Sequence, residues 1–245
     1  MKLAVAGKGG VGKTSLTAWL GDYLARQGDD VWLVDADTAL SLGAALGIAP
    51  DRIPRPLIEE EELIQERVGA GMINLSPDVS DLPERLCVNA GPMHLLVMGS
   101  IAGAGGGCAC SQNTLLKALL AHLVLDRGQT MIVDLEAGVE HLGRGTVSGV
   151  DGLVVVSEPS LRSLNTAAQI GTFAAGLGLT NQVLVLNRAP QGIELPALQG
   201  LPPLAGAIPV LETLQKRQLT AASVLDLPER DQVDTICTQV LNALE

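Results

Sequence analysis

The chain has 245 residues, of which 16 are basic and 27 acidic, so its formal net charge at pH 7 is -11. A chain this acidic has no electrostatic footprint for the phosphate backbone of DNA or RNA, and nucleic acid is not an expected partner. Four cysteines do not make a disulfide framework, and neither a signal peptide nor an apolar run of about 18 residues occurs, so we expect a cytoplasmic protein with no membrane partner.

Short apolar runs recur along the chain and predict strands: LAVAG at 3–7, VWLVDAD at 31–37, MIVDLEAG at 131–138, LVVVSEP at 153–159 and VLVLNRAP at 183–190. They lack alternation, which is typical of parallel strands that are covered on both faces. Helical spacing from Thr14 to Gln27 and from Leu161 to Ala175 predicts crossover helices. We therefore expect an α/β fold, a doubly wound single domain over 1–245 with a mostly parallel central sheet and helices on both faces. The proline-rich acidic segment 48–66 and the glycine-rich segment 102–113 interrupt this rhythm and are expected outside the core.

Residues 7–14 read GKGGVGKT, which fits the P-loop pattern G-x-x-x-x-G-K-[ST] between a strand and a helix. Glycines let backbone N–H groups curl around phosphate oxygens, and the positive end of the following helix adds to that field. We expect Lys13 to reach the β- and γ-phosphates and Thr14 to offer its hydroxyl to Mg²⁺. The predicted nucleotide-binding residues of this loop are Gly7, Lys8, Gly9, Gly10, Val11, Gly12, Lys13, Thr14 and Ser15.

Lys8 precedes the glycine pair at a position where ordinary P-loops need no charge. In this form the loop resembles the deviant Walker A group, which includes the MinD and ParA ATPases and the nitrogenase iron protein. The resemblance implies a P-loop ATPase that binds ATP and ADP and forms a homodimer. It also implies that Lys8 crosses the dimer interface and neutralises phosphate charge in the partner's site, as arginine fingers do.

Two predicted strands end in carboxylates, which are costly to bury unless a metal ion or hydrogen bonds compensate. Asp35 and Asp37 end the second run, and the resemblance places Asp37 in switch I, where it orients the attacking water. Asp134 ends MIVD and, with Gly138 as the hinge, matches Walker B and switch II. Thr14, Asp37 and Asp134 are thus the expected magnesium residues, and Lys8, Lys13 and Asp37 the expected catalytic ones. Glu136 is an extra carboxylate that either acts in the site or caps the next helix, and the alternative interpretation of Asp37 and Asp134 is likewise a helix cap.

The strand VLVLN ends in Asn187, where the same family places an amide against the adenine edge. GAIP at 206–209 resembles the loop that flanks the base. Asn187, Arg188 and Pro209 are therefore the predicted base-side contacts. A strand-ending Asn is otherwise a common turn former.

Cys108 and Cys110 lie one residue apart in AGAGGGCACSQN. Residues i and i+2 of an extended segment point the same way, so both thiolates can bind one metal ion. A closed thiolate site for Zn²⁺ needs four ligands, while Cys87 lies in a separate segment and Cys237 falls on an amphipathic C-terminal helix and is expected to face the core. If the chain dimerises around ATP, the second copy supplies the missing pair, and one metal ion is shared by two chains.

A deviant Walker A ATPase with a central Cys-x-Cys, followed by MIVDLEAGVEHLGRGT, resembles the CooC family of accessory ATPases for carbon monoxide dehydrogenase. The resemblance runs nearly end to end and implies ATP hydrolysis, one metal per dimer at Cys108 and Cys110, and assistance with nickel insertion into the apoenzyme. Thiolates accept square-planar Ni²⁺ or tetrahedral Zn²⁺, and the sequence does not choose between them. His141, which follows switch II, either couples the two sites or is a structural hydrogen-bonding residue.

Two other functions remain open from the sequence. A MinD- or ParA-like positioning ATPase needs a basic DNA-binding face or a basic membrane-binding helix, whereas the C-terminal helix has Arg230 as its only base. An iron-sulfur reductase resembling the nitrogenase iron protein draws its cysteines from well-separated segments, unlike the adjacent pair at 108 and 110.

Overall fold

The computed structural model describes residues 1–69, 74–99, 111–112, 114–116, 118–119, 122, 129–136, 149–190 and 192–245. Its strands are β1 Lys2–Gly7, β2 Asp30–Ala36, β3 Val88–Ala90, β4 Met93–Val97, β5 Gln129–Leu135, β6 Gly152–Ser157, β7 Gln182–Asn187 and β8 Leu204–Ile208. Its fully described helices are α1 Lys13–Arg26, α2 Leu42–Ala45, α3 Glu61–Val68, α4 Leu82–Leu86, α5 Leu161–Gly176, α6 Glu212–Arg217 and α7 Arg230–Leu244. Short 3₁₀ turns span Pro50–Arg52 and Leu57–Glu59.

The described strands form one sheet in the order β3-β4-β2-β5-β1-β6-β7-β8. Paired neighbours run parallel, apart from the antiparallel edge pair of β3 and β4. The carboxyl ends of β1, β2, β5, β6, β7 and β8 therefore meet at the same edge, which we call the carboxyl edge. The predicted α/β class and mostly parallel sheet are confirmed.

Both faces of the sheet are covered by helices. Alternate residues of β1 belong to different cores: Ala4 and Ala6 pack with α3 and α5, whereas Leu3 and Val5 pack with α1 and α7. Each face thus has its own apolar cluster, which explains the continuous apolar runs of the central strands.

Three strands were not predicted from the sequence. β4 carries His94 and β3 is only three residues long, while the residues of β8 are mostly small. Short or small-residue strands give little periodic signal, because their burial depends on neighbours that are distant in the chain.

The expectation that segment 48–66 lies outside the core is wrong. Its apolar side chains are nearly fully buried at four positions: Ile48, Leu57, Leu63 and Ile64. In α3 the buried and acidic residues alternate at helical spacing, so Glu61 and Glu62 face solvent while Leu63 and Ile64 pack against the sheet. Glu59, Glu61 and Glu62 are exposed, whereas Pro56 is buried beside Leu57.

In the part of the chain that the structure describes, no helix combines the length and the apolar character that a bilayer crossing requires.

Candidate nucleotide site

The loop between β1 and α1 has a backbone that requires glycine. Gly10 and Gly12 adopt φ angles of 81° and 101°, in the left-handed region. A methyl group on Gly7 would lie 2.2 Å from the carbonyl oxygen of Val156 on β6. Helix α1 begins directly after the loop at Lys13, and its N-cap, Gly12, has no side chain to occupy the first N–H groups. The loop and helix end are therefore suited to an anion.

Lys13 is the buried cation of this edge. Its side chain is only 5% exposed, and its Nζ atom lies 3.7 Å from Asp37 Oδ2. Lys8 is half-buried, and within the described residues its ammonium has no ion pair. The two lysines of the loop thus differ: one is held inside the site and the other is free to contact another molecule.

Asp134 lies at the end of β5, beside the loop, and is fully buried. Its Oδ2 atom accepts a hydrogen bond of 2.6 Å from the Thr14 hydroxyl, whereas Oδ1 has no partner among the described residues. Burial raises the pKa of this carboxyl from 3.8 to about 7, with the Thr14 hydrogen bond and Lys13 opposing the shift and the charges of Asp35 and Asp37 adding to it. A hydroxyl and a carboxylate with a vacant oxygen are the ligand types that Mg²⁺ takes, so these residues fit that ion.

Asp35 and Asp37 lie at the end of β2, next to β5, and their carboxylates have different surroundings. Asp35 accepts hydrogen bonds from the backbone N–H groups of Leu42 at 2.9 Å and Asp37 at 3.2 Å. Its pKa rises to about 6, mainly because of burial, against those two hydrogen bonds. Asp37 is 9% exposed and accepts from Ala39 N at 2.9 Å. Asp35 therefore fixes the turn after β2, and this turn presents Asp37 to Lys13.

Three polar residues at this edge were missed by the sequence reasoning. Ser41 Oγ lies 3.3 Å from Thr14 Oγ1, and Thr38 donates to Glu136 Oε1 at 3.0 Å, which joins the turn after β2 to the end of β5. Glu158 pairs with Arg188 at 2.5 Å. Thr38 and Ser41 follow the predicted strand 31–37, and Glu158 lies near the end of the predicted run 153–159, so position at a strand end is the signal that could have found them.

The residues predicted to contact the base lie beside the phosphate loop. Asn187 ends β7, and its Nδ2 atom donates to the carbonyl oxygen of Val11 at 2.8 Å. Arg188 Nη1 lies 3.5 Å from the carbonyl oxygen of Gly10. The expectation that GAIP at 206–209 is a loop is wrong for its first three residues, which lie in β8. Pro209 follows this strand, and the Ile208 carbonyl oxygen accepts a bond from Ala189 N. These residues and the loop thus share the carboxyl edge.

Cys108, Cys110, Gly138 and His141 lie outside the described residues. The other two cysteines are described: Cys237 is fully buried on α7, as predicted, and burial raises its pKa to about 12, while half-buried Cys87 precedes β3. Over the described ranges no group of three His, Cys, Asp or Glu side chains is arranged to hold a metal ion.

The family model for the CobQ/CobB/MinD/ParA nucleotide binding domain matches residues 2–224. The carbon monoxide dehydrogenase accessory protein CooC of Rhodospirillum rubrum is 37% identical over 237 residues, which are 93% of this chain and 90% of that protein. An uncharacterised ATP-binding protein of Methanocaldococcus jannaschii is 38% identical over 77% of this chain and 75% of its own length. Among solved structures, a ParA family ATPase from Chlorobium tepidum TLS has a TM-score of 0.70 at 19% identity, covering 98% of this chain and 97% of that chain. The resemblance inferred from the sequence is confirmed.

Proposed function

Because the chain belongs to the CobQ/CobB/MinD/ParA nucleotide-binding family, we propose that it is an ATPase that assists nickel insertion into carbon monoxide dehydrogenase. The observation that carries the proposal is the similarity to CooC at 37% identity over 93% of the chain. It is supported by a carboxyl edge where a glycine loop, a buried lysine and a vacant carboxylate oxygen converge. We include in this proposal that residues 1–245 form one domain.

Each of the polar residues at the carboxyl edge has its own role in the proposed ATP hydrolysis. Lys13 compensates the charge of the β- and γ-phosphates, and Thr14 and Asp134 hold Mg²⁺, which offsets phosphate charge when it is bound. Asp37 accepts a hydrogen bond from the attacking water and orients it, and contributes to the magnesium site. Because burial raises the pKa of Asp134, a cation held there would favour the deprotonated form of this carboxyl.

Lys8 acts in the neighbouring subunit of a homodimer. Its ammonium is half-buried and without a counterion in the described residues, whereas Lys13 pairs with Asp37. A lysine that is presented on the rim of the loop suits contact with a nucleotide held by a second copy. The Lys8→Ala variant should bind ATP yet hydrolyse it slowly, and unchanged turnover would remove the role in trans.

Cys108 and Cys110 bind one nickel or zinc ion per dimer, with two thiolates from each chain. The basis is the Cys-x-Cys spacing and the need of a closed thiolate site for four ligands. A Cys108→Ser, Cys110→Ser variant should retain ATP binding and lose stoichiometric metal. Replacing half-buried Cys87 with Ser leaves the thiols at 108 and 110 intact and is the control for the loss of a thiol. Metal that persists at one ion per dimer in the double variant would refute this site.

A second candidate is a positioning ATPase, which the fold likeness to a ParA family ATPase favours. Helix α7 argues against membrane targeting, because its apolar residues Val233, Ile236, Val240 and Leu244 are buried against the sheet. A helix that inserts into a membrane surface needs that face free. Binding of the purified protein to anionic vesicles in the presence of ATP would favour the second candidate.

A further inference from the structure

Glu136 is the carboxylate for which the sequence leaves two roles open, and in the structure it reaches the turn that follows β2. Thr38 Oγ1 donates a hydrogen bond to Glu136 Oε1 at 3.0 Å. Because β2 and β5 are parallel neighbours, with Asp35 beside Asp134, the two residues leave adjacent strands at the carboxyl edge. The hydrogen bond therefore fastens the turn after β2 to the end of β5, one residue away from Asp37.

The turn that carries Asp37 has a backbone conformation that a bulky residue avoids. Leu40 N donates to Asp37 O at 3.3 Å, which closes a four-residue turn, and Leu40 has a φ of 46°, in the left-handed region. For a leucine this φ is costly, so the contacts around the turn have to hold it in place. Asp37 Oδ1 accepts from Ala39 N at 2.9 Å within the turn, whereas the Thr38 bond ties the turn to a different strand. Loss of the Thr38 bond should therefore leave the turn freer to move.

The ion pair between Asp37 and Lys13 does not replace this bond during the proposed reaction. Lys13 Nζ lies 3.7 Å from Asp37 Oδ2, which makes a loose pair. In the proposed function the same ammonium compensates the charge of the β- and γ-phosphates, so its attraction is shared between the carboxylate and the nucleotide. The position of the Asp37 carboxylate then depends more on its own turn. A turn that is fixed to β5 keeps this carboxylate beside Asp134 and the magnesium site.

We propose that Glu136 and Thr38 are a pair of positioning residues: Glu136 accepts the Thr38 hydroxyl and so fixes the turn from which Asp37 orients the attacking water. The inference rests on the proposed ATPase function and gives Glu136 a role in it. Glu136 acts through Asp37, as a hydrogen-bond acceptor, and neither takes a proton from the water nor contacts the nucleotide. The interaction needs a hydroxyl group and an acceptor oxygen, and an amide oxygen serves as well as a carboxylate oxygen.

Thr38→Val and Glu136→Ala each remove one end of the bond, and ATPase kinetics with calorimetry of ATP binding test the proposal. Thr38 is exposed, so its replacement is tolerated by the fold. Each variant should lower kcat by about tenfold, because the attacking water is less well oriented, and should leave the affinity for ATP at the wild-type value. The double variant should lose no more than either single variant, since the bond is already absent in both. Glu136→Gln keeps an acceptor oxygen and should retain most of the wild-type kcat.

Thr130→Val is the matched control. Thr130 Oγ1 donates to Asp29 Oδ2 at 3.1 Å and joins β5 to the residue before β2, at the opposite edge of the sheet, so this variant should keep the wild-type kcat. Wild-type kcat in both Thr38→Val and Glu136→Ala would overturn the inference and leave the ATPase function standing. A Glu136→Gln variant as slow as Glu136→Ala would overturn it in favour of a direct role for the charged carboxylate. A wild-type chain that does not hydrolyse ATP would refute the proposed function itself, and this inference with it.

Discussion

Both edges of the central sheet carry carboxylate side chains, but the burial and the hydrogen bonding of these side chains differ between the two edges. At the amino edge, where the parallel strands begin, Asp151 accepts from Lys2 N at 2.8 Å. There Asp30 accepts from Gln129 at 2.9 Å and lies 3.2 Å from His94 Nε2. At the carboxyl edge Asp134 is fully buried and one of its oxygens has no partner in the described residues. Asp30 and Asp151 at the amino edge are exposed and paired, while Asp35 and Asp134 at the carboxyl edge are buried, and burial raises their pKa values.

This difference separates structural from functional polar groups without reference to relatives. Burying a carboxylate with a vacant oxygen costs free energy, and a protein retains such a group where a ligand later satisfies it. Burial raises the pKa of both Asp35 and Asp134, but only Asp134 has an oxygen without a partner among the described residues, because both Asp35 oxygens accept backbone N–H bonds. At the amino edge the paired carboxylates link neighbouring strands, whereas at the carboxyl edge Asp134 Oδ1 has no partner among the described residues, as the proposed magnesium site requires.

The largest effect is expected from Lys13→Ala. Its buried ammonium is the nearest cation to Asp37, and its loss should reduce ATP turnover by about 10²- to 10³-fold. Lys216→Ala is the control, since Lys216 also pairs with a carboxylate but is 79% exposed. Steady-state phosphate release measures both variants. Equal turnover in the two would contradict the assignment of the phosphate site.

Asp134→Asn should separate stability from activity. At pH 8 the free energy of unfolding of the nucleotide-free protein should rise, on the order of 2 kcal/mol, because the amide removes a buried charge and still accepts from Thr14. Turnover should fall by about 100-fold because a magnesium ligand is lost. Asp151→Asn, at the amino edge, should neither raise the free energy of unfolding nor lower ATP turnover. Urea denaturation measures the free energy of unfolding, and ATPase assays measure turnover. An Asp134→Asn protein that is less stable than the wild type would contradict the difference drawn between the two edges.

The pH dependence of stability follows from the same carboxyls. A carboxyl whose pKa is higher in the folded state than in the unfolded state binds its proton more tightly when the protein is folded. Its contribution to the free energy of unfolding is therefore present at low pH and is lost as the pH rises. With pKa values of about 6 for Asp35 and about 7 for Asp134, the nucleotide-free protein should lose stability between about pH 4 and 7 from these groups. Denaturation curves across this range test it. In the Asp134→Asn variant the free energy of unfolding should depend less on pH in the upper part of this range. An unaltered pH dependence would argue against a raised pKa for Asp134.

The smallest effect is expected at the amino edge. The His94 ring stacks on Trp32 with centroids 4.6 Å apart and pairs with Asn89 and Asp30. His94→Ala should lower the free energy of unfolding by about 1 kcal/mol and leave turnover unchanged. A turnover defect in this variant at full stability would show that the two edges are coupled.

The sequence predicted the strand ends that carry Asp35, Asp37, Asp134 and Asn187, because apolar runs that end in polar residues mark where a parallel strand leaves the core. It did not predict that Asn187 Nδ2 is bonded to Val11, since a pattern along one strand does not say which loop packs beside it. The burial of Leu57 and Leu63 was missed for a similar reason. Proline and acidic residues dominate that segment locally, and the sheet face that covers its few apolar side chains comes from elsewhere in the chain.

The proposed function requires that ATP bring two chains together around one metal ion held by Cys108 and Cys110. Native mass spectrometry with Mg²⁺ and a slowly hydrolysed ATP analogue, during titration with Ni²⁺ or Zn²⁺, measures chains, nucleotides and metal in a single spectrum. The expected species has two chains, two nucleotides and one transition-metal ion. A nucleotide-loaded monomer, or a dimer with one metal ion in each chain, would contradict the claim.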